Sequence, residues 1–145
     1  MMNIEAMRVS DVMTRDIVTL GRNDRLIHAD DVMRLGRIRH LPIVNSDGAL
    51  AGIISQRDLF HSGLVRALGV DRNAQRNALE MVEVDWAMTT DVLTIAPDAL
   101  LTSAASLMLE RKVGCLVVTE NQKIAGILTE GDFVKLFTGS QKVLT

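Results

Sequence analysis

Two short stretches carry the residues with the most chemistry. "GIISQRDLF" runs from Gly52 to Phe60 and "GILTEGDFV" from Gly126 to Val134. Each reads glycine, two β-favouring apolar residues, a hydroxyl residue, two variable positions, aspartate and an apolar residue. The hydroxyl and carboxylate spacing suits a helix start. Ser55 or Thr129 caps free backbone N–H groups, and Asp58 or Asp132 faces the positive end of the helix dipole. One such four-residue signal means only that a strand ends and a helix begins. Other reactive types are sparse. His28 falls on one helix face with Asp24 and Asp31, but no further His or Cys completes a metal site, so an exposed salt-bridged face is expected. Cys115, the single cysteine, opens an apolar strand and reads as a small hydrophobe, leaving no intramolecular disulfide or cysteine cluster. His61 and Ser62 make no nucleophile–base–orienter set. No catalytic residues and no metal site are expected, and the chain does not read as an enzyme.

The elements that position the two stretches repeat as well. "DVMTRDIVTL" at 11–20 matches "WAMTTDVLTI" at 86–95, and "RLIHADDVMRLGRIRHLPIV" at 25–44 matches "LLTSAASLMLERKVGCLVVT" at 100–119. Self-similarity of this kind marks one supersecondary unit written twice. A short strand is predicted at Ile17–Thr19 and at Val92–Thr94. Asn23 and Asp98 are candidate caps for helices over 25–37 and 99–112. Leu26, Ala29, Val32 and Met33, like Leu101, Ala104, Ala105 and Met108, fall at helical spacing on one apolar face. Two hairpins follow, Leu41–Val44 with Leu50–Ile54 and Cys115–Thr119 with Ile124–Leu128. Pro42 stands near a strand start, where its missing N–H costs least. Each unit is thus β-α-β-β-α, too small to bury much surface alone. The first unit is placed at 8–60 and the second at 83–138. Residues 61–82 form a connecting helix or linker, and 139–145 a C-terminal tail. Met7, Met13, Met33, Met81, Met88 and Met108 read as core filler.

Composition narrows the class. Apolar residues make up 48% and charged residues 23%, as in an ordinary packed protein. No stretch approaches the ~20 apolar residues of a membrane span. The opening "MMNIEAMRVSDVM" lacks a basic start followed by an apolar run, so no secretory signal is read and a cytoplasmic location is expected. A net charge of −2 argues against binding nucleic acid by phosphate neutralisation. The charge is uneven, however. Residues 8–60 hold eight Arg against seven acids, while 82–138 hold four basic residues against eight acids.

Two β-α-β-β-α units, each with x-x-M-T, a basic residue four positions before a strand leucine, and G-h-h-S/T-x-x-D, resemble a tandem pair of cystathionine-β-synthase (CBS) domains, a Bateman module. The resemblance runs from about 8 to 138 with every motif in the same order twice. It implies an α/β (α+β) fold with two units related by a pseudo-two-fold axis, their sheets packed together and helices outside. It also implies adenine-nucleotide binding in clefts between the units, and a homodimer. In nucleotide-binding members the aspartate accepts the ribose hydroxyls and the Ser/Thr lies near the phosphates. A carboxylate suits a vicinal diol because it only accepts, and a helix N-terminus suits a phosphate.

Carried over by position, the first site uses Asp58, Ser55, Arg57, Arg39 and His40, with Trp86, Ala87, Val113 and Gly114 walling the base. The second uses Asp132 and Thr129, with Val12, Ile38 and Arg39 near the base. The two are unequal. Gly114, Cys115 and Gly131 stand where the first site has Arg39, His40 and Arg57, so the first is expected to be the better phosphate binder. The resulting reading is a regulatory, ligand-sensing module that binds AMP, ADP or ATP and signals to a separate, unknown effector protein. The alternative is a ligand-independent interaction or oligomerisation module with empty or plugged clefts. No catalytic cofactor is expected, only the nucleotide ligand.

Overall fold

The alternating apolar runs form the two hairpins. In the computed structural model, which describes residues 3–61 and 72–139, β2 (His40–Val44) pairs antiparallel with β3 (Leu50–Ser55), and β5 (Cys115–Glu120) with β6 (Lys123–Thr129). A two-residue strand lies parallel against each hairpin, β1 (Leu20–Gly21) on β2 and β4 (Thr94–Ile95) on β5. The sheets therefore run β1-β2-β3 and β4-β5-β6. Both opening strands start later than predicted, because parallel pairing reaches only Ile43–Val44 in one sheet and Val117–Val118 in the other. Pro42 lies on the part of β2 that β1 leaves uncovered, where no ladder donor is lost on that side.

Helices α2 (Leu26–Gly36) and α6 (Leu101–Arg111) bury the apolar faces that the periodicity predicts, including Leu26, Ala29, Met33, Leu101, Ala104 and Met108. Neither begins at the predicted cap. The N-cap positions are Arg25 and Leu100, without a side-chain cap bond. The residue after Asn23, Asp24, instead accepts a bond from the Gly21 N–H at 2.7 Å and closes the turn after β1. Both helices end in a left-handed residue, Arg37 (φ 54°) and Lys112 (φ 56°), which turns the chain sharply into the hairpin. Helices α3 (Gln56–His61) and α7 (Glu130–Thr138) follow the hairpins.

Of the predicted connector, residues 62–71 lie outside the described residues, as do residues 140–145 of the predicted tail. The rest of the connector contains helix α4 (Arg72–Met81), whose Ala78 and Leu79 are buried. Met81 is not core filler. It is 74% exposed at the last position of α4, while Met7, Met13, Met33, Met88 and Met108 are buried.

The chain divides into two compact units, Val18–Asp91 and Met1–Ile17 with Val92–Thr145. Each has its own core. The first centres on Leu26, Leu41, Ile43, Ile54, Leu59 and Val84, the second on Val9, Val12, Leu101, Leu116, Val118 and Leu128. Repeat and unit are therefore offset. The x-x-M-T segment of each repeat packs on the hairpin of the other. Single-turn helices α1 (Val9–Val12) and α5 (Val84–Ala87) deliver these segments. Thr14 and Ile127 exchange backbone bonds of 2.8 and 2.9 Å, and so do Thr89 and Ile53. The close crossing explains the first letter of the repeated motif. A Cβ on Gly126 would lie 2.8 Å from the Thr14 carbonyl oxygen, and one on Gly52 would lie 2.8 Å from that of Thr89.

Candidate functional site

In the unit Val18–Asp91, the turn from β3 into α3 is built by a reciprocal cap. The Ser55 N–H donates to Asp58 Oδ2 at 2.8 Å, and the Asp58 N–H donates to Ser55 Oγ at 3.1 Å. This fixes the carboxylate at the helix start, the geometry the sequence spacing predicts. The Gln56 N–H donates to the Arg39 carbonyl at 2.8 Å, and His40 is the register partner of Ser55. Arg39, His40, Ser55 and Asp58 are thus brought together. Asp58 is half-buried, and among the described residues nothing donates to its Oδ1.

The arginines of this unit fall into two groups. Arg22 pairs with Asp85 at 2.9 Å, and Arg34 and Arg76 pair with Asp30 and Asp31. The second set puts Asp31 in a salt-bridged face, as expected, whereas Asp24 lies before the start of α2 and is not on the helix face with His28. Arg37, Arg39 and Arg57 are exposed, and among the described residues their side chains have no hydrogen-bond or ion-pair partner. Trp86 and Ala87 belong to the same compact unit as Asp58, and Trp86 is 87% exposed. Val113 and Gly114 belong to the other unit.

The matching turn into α7 has the same cap and a different environment. The Thr129 N–H donates to Asp132 Oδ2 at 2.9 Å. A further donor is present that the spacing of G-h-h-S/T-x-x-D does not reveal. Thr14 Oγ1 donates to Asp132 Oδ1 at 2.8 Å. Both carboxylate oxygens are engaged, and Asp132 is only 2% exposed. The hint in the sequence is the hydroxyl that closes x-x-M-T at both 14 and 89. Val12 lies fully buried in the core of this unit, while Ile38 and Arg39 belong to the other unit.

The helix of the second turn opens on an acid. Its first helical residue is Glu130, where the first turn has Gln56. The Glu130 N–H donates to the Gly114 carbonyl at 3.2 Å, and its Oε1 lies 3.1 Å from where a Cβ on Gly114 would stand. Cys115 pairs with Thr129 in the ladder. Burial first, and then the Asp132 carboxylate, push its thiol up to about 12. It stays protonated at neutral pH and is a packing group rather than a nucleophile. Lys112 and Glu130 flank a groove of about 530 Å³ between α6 and α7, floored by Ala105, Met108, Leu109, Val113 and Phe133. Among the described residues, no group of His, Cys, Asp and Glu side chains is arranged to hold a metal ion, and no helix is long and apolar enough to cross a membrane.

Comparison with known proteins agrees with the geometry. The CBS domain family matches this chain twice, over residues 9–64 and 82–139. A Vibrio cholerae protein named for acetoin utilization (AcuB) has a solved structure that is 36% identical, with a TM-score of 0.76 over 92% of both chains. The CBS domain pair of protein MJ0100, solved with 5′-methylthioadenosine and S-adenosyl-L-methionine, is 26% identical, with a TM-score of 0.74 over 94% of this chain and 99% of that one. A homoserine O-acetyltransferase of Methanosarcina acetivorans is 28% identical over 89% of this chain. The chain spans only 22% of that enzyme's length.

Proposed function

The chain belongs to the CBS domain family, as a tandem pair, and from that premise we propose that it is a regulatory module that senses an adenine nucleotide through the Asp58 turn. The observation that carries this reading is the open acceptor at that turn. Asp58 Oδ2 is held by the cap, Oδ1 accepts from nothing among the described residues, and Arg39 and Arg57, at the same strand-to-helix turn, have no side-chain partner among them. A carboxylate with a free oxygen suits a ribose diol, and a guanidinium fork beside a helix N-terminus suits phosphate. The MJ0100 pair, bound to two adenosine derivatives, supports the adenosine part of the ligand. The phosphate part rests on the arginines alone. The module is regulatory rather than catalytic, works in the cytoplasm, and passes its signal to another protein, which requires the ligand to bind two states unequally.

A titration series tests this reading. Calorimetry with adenosine, AMP, ADP and ATP is expected to show affinity for the Asp58 site rising with phosphate number and falling with added salt. Arg57→Ala flattens the phosphate dependence without abolishing adenosine binding. Absence of binding by all four ligands would sink the proposal.

Assembly as a homodimer is part of the same proposal. Leu109 on α6 and Val134 and Phe137 on α7 are 81%, 61% and 79% exposed beside the apolar groove. Apolar surface of this kind marks an interaction face. Sedimentation is expected to give twice the 15.9 kDa of one chain at micromolar concentration. A species of single-chain mass would remove the dimer from the proposal.

A further inference from the structure

We propose that Thr14 is an internal substitute for a ligand hydroxyl, and that it keeps the Asp132 turn closed to nucleosides. The inference rests on the reading above, in which the two motif aspartates are acceptors for ribose hydroxyls. The two turns match in backbone. Thr14 exchanges bonds with Ile127 as Thr89 does with Ile53, and each aspartate caps its helix through the preceding hydroxyl residue's N–H. They differ in one hydroxyl. Thr14 Oγ1 reaches Asp132 Oδ1 at 2.8 Å. Among the described residues, no side chain reaches Asp58 Oδ1, and Thr89 is exposed.

The consequence follows from burial and hydrogen-bond chemistry. A carboxylate oxygen that already accepts a bond at 2.8 Å, on a side chain 2% exposed, presents no site to solvent. The oxygen keeps a second lone pair, but on so buried a side chain a ribose hydroxyl reaches it by moving Thr14 aside, so one charge-assisted bond is exchanged for another and little net affinity remains. At Asp58 the same hydroxyl replaces water. The second turn is therefore shut by an intramolecular contact, independently of the glycines at 114 and 131 that replace arginines of the first repeat. The segment that carries Thr14 is anchored by backbone bonds, which a side-chain change leaves in place.

The test uses adenosine, which lacks phosphates and so removes the charge difference between the turns. Binding stoichiometry is measured by calorimetry on the full chain for wild type, Thr14→Ser, Thr14→Ala, Asp132→Ala and Thr14→Ala/Asp132→Ala. The expected result is one equivalent for wild type and Thr14→Ser. Thr14→Ala gains a second equivalent, its affinity raised at least about tenfold over any residual second binding in wild type, and the double variant loses that gain. Should Thr14→Ala not fold, Thr14→Cys, which has only a weak donor, serves in its place with a smaller gain. One equivalent in wild type and in Thr14→Ala alike would overturn the closed-turn proposal and leave the Asp58 reading standing. Two equivalents in wild type, the second lost in Asp132→Ala, would overturn it in the same way. No adenosine bound by any variant would overturn the closed-turn proposal, and the Asp58 reading falls with it only if AMP, ADP and ATP also fail to bind.

Discussion

Asp58→Ala is expected to weaken adenine-nucleotide binding by about ten- to a hundredfold, while the protein remains folded. Two roles of one carboxylate must be separated to see why. Its Oδ2 caps α3 through the Ser55 N–H, and its Oδ1 is the open acceptor. Loss of a helix cap costs about 1 kcal/mol of stability. Loss of a hydrogen bond between a ligand and a charged group costs about 1.5–3 kcal/mol of binding, the fold-change given above. Calorimetric titration and a thermal melt of the same sample measure the two quantities independently. A variant that melts earlier but binds as wild type would reduce Asp58 to a cap. The matching substitution at Asp132 is expected to behave in the opposite way. That side chain is buried, both oxygens are engaged, and its removal leaves Thr14 Oγ1 and the Thr129 N–H without their acceptor. Asp132→Ala should destabilise the fold more than Asp58→Ala and change wild-type nucleotide binding less.

Gly126→Ala and Gly52→Ala are each expected to lower the melting temperature by roughly 3–10 °C. The added methyl group would stand 2.8 Å from a backbone carbonyl oxygen in each case, and 2.9 or 2.7 Å from the sulfur of Met13 or Met88. The thioether can move, but the carbonyl belongs to a residue paired on both sides with the same strand. Overpacking of this kind costs about 1–3 kcal/mol. Gly131→Ala is the control. Its methyl group would meet only Thr129 Oγ1 at 3.5 Å, an ordinary contact, and Gly131 sits in α7, where alanine is favoured by up to about 1 kcal/mol. A melting temperature unchanged in Gly126→Ala and in Gly52→Ala would show that the lead-in segments are not held against the hairpins.

Much of the local structure was legible in the residues. The hairpins follow from alternating apolar runs, the apolar faces of α2 and α6 from helical spacing, and the starts of α3 and α7 from S/T-x-x-D, because each depends on neighbours a few positions apart. Local signals erred where competing partners decide. Asn23 and Asp98 read as caps, yet α2 and α6 begin later, and the turn after β1 is closed by Asp24. Met81 read as core, yet it ends α4 beyond the buried face.

What the sequence by itself determined is that one β-α-β-β-α unit is present twice, with a capped aspartate after each hairpin and arginines gathered around the first. Only the tertiary structure decided which lead-in segment meets which hairpin. A repeat offers the same x-x-M-T to its own hairpin and to the other one, and the choice lies in a crossing of residues 14 and 127, or 53 and 89, that no local spacing encodes. That crossing requires Gly52 and Gly126, and it sets Thr14 on Asp132. Two aspartates with the same local sequence thereby become unlike, one half-buried with an oxygen that accepts from nothing among the described residues and one buried with both oxygens engaged. Burial and hydrogen-bond occupancy depend on what the rest of the chain brings alongside, and neither is a property of the motif.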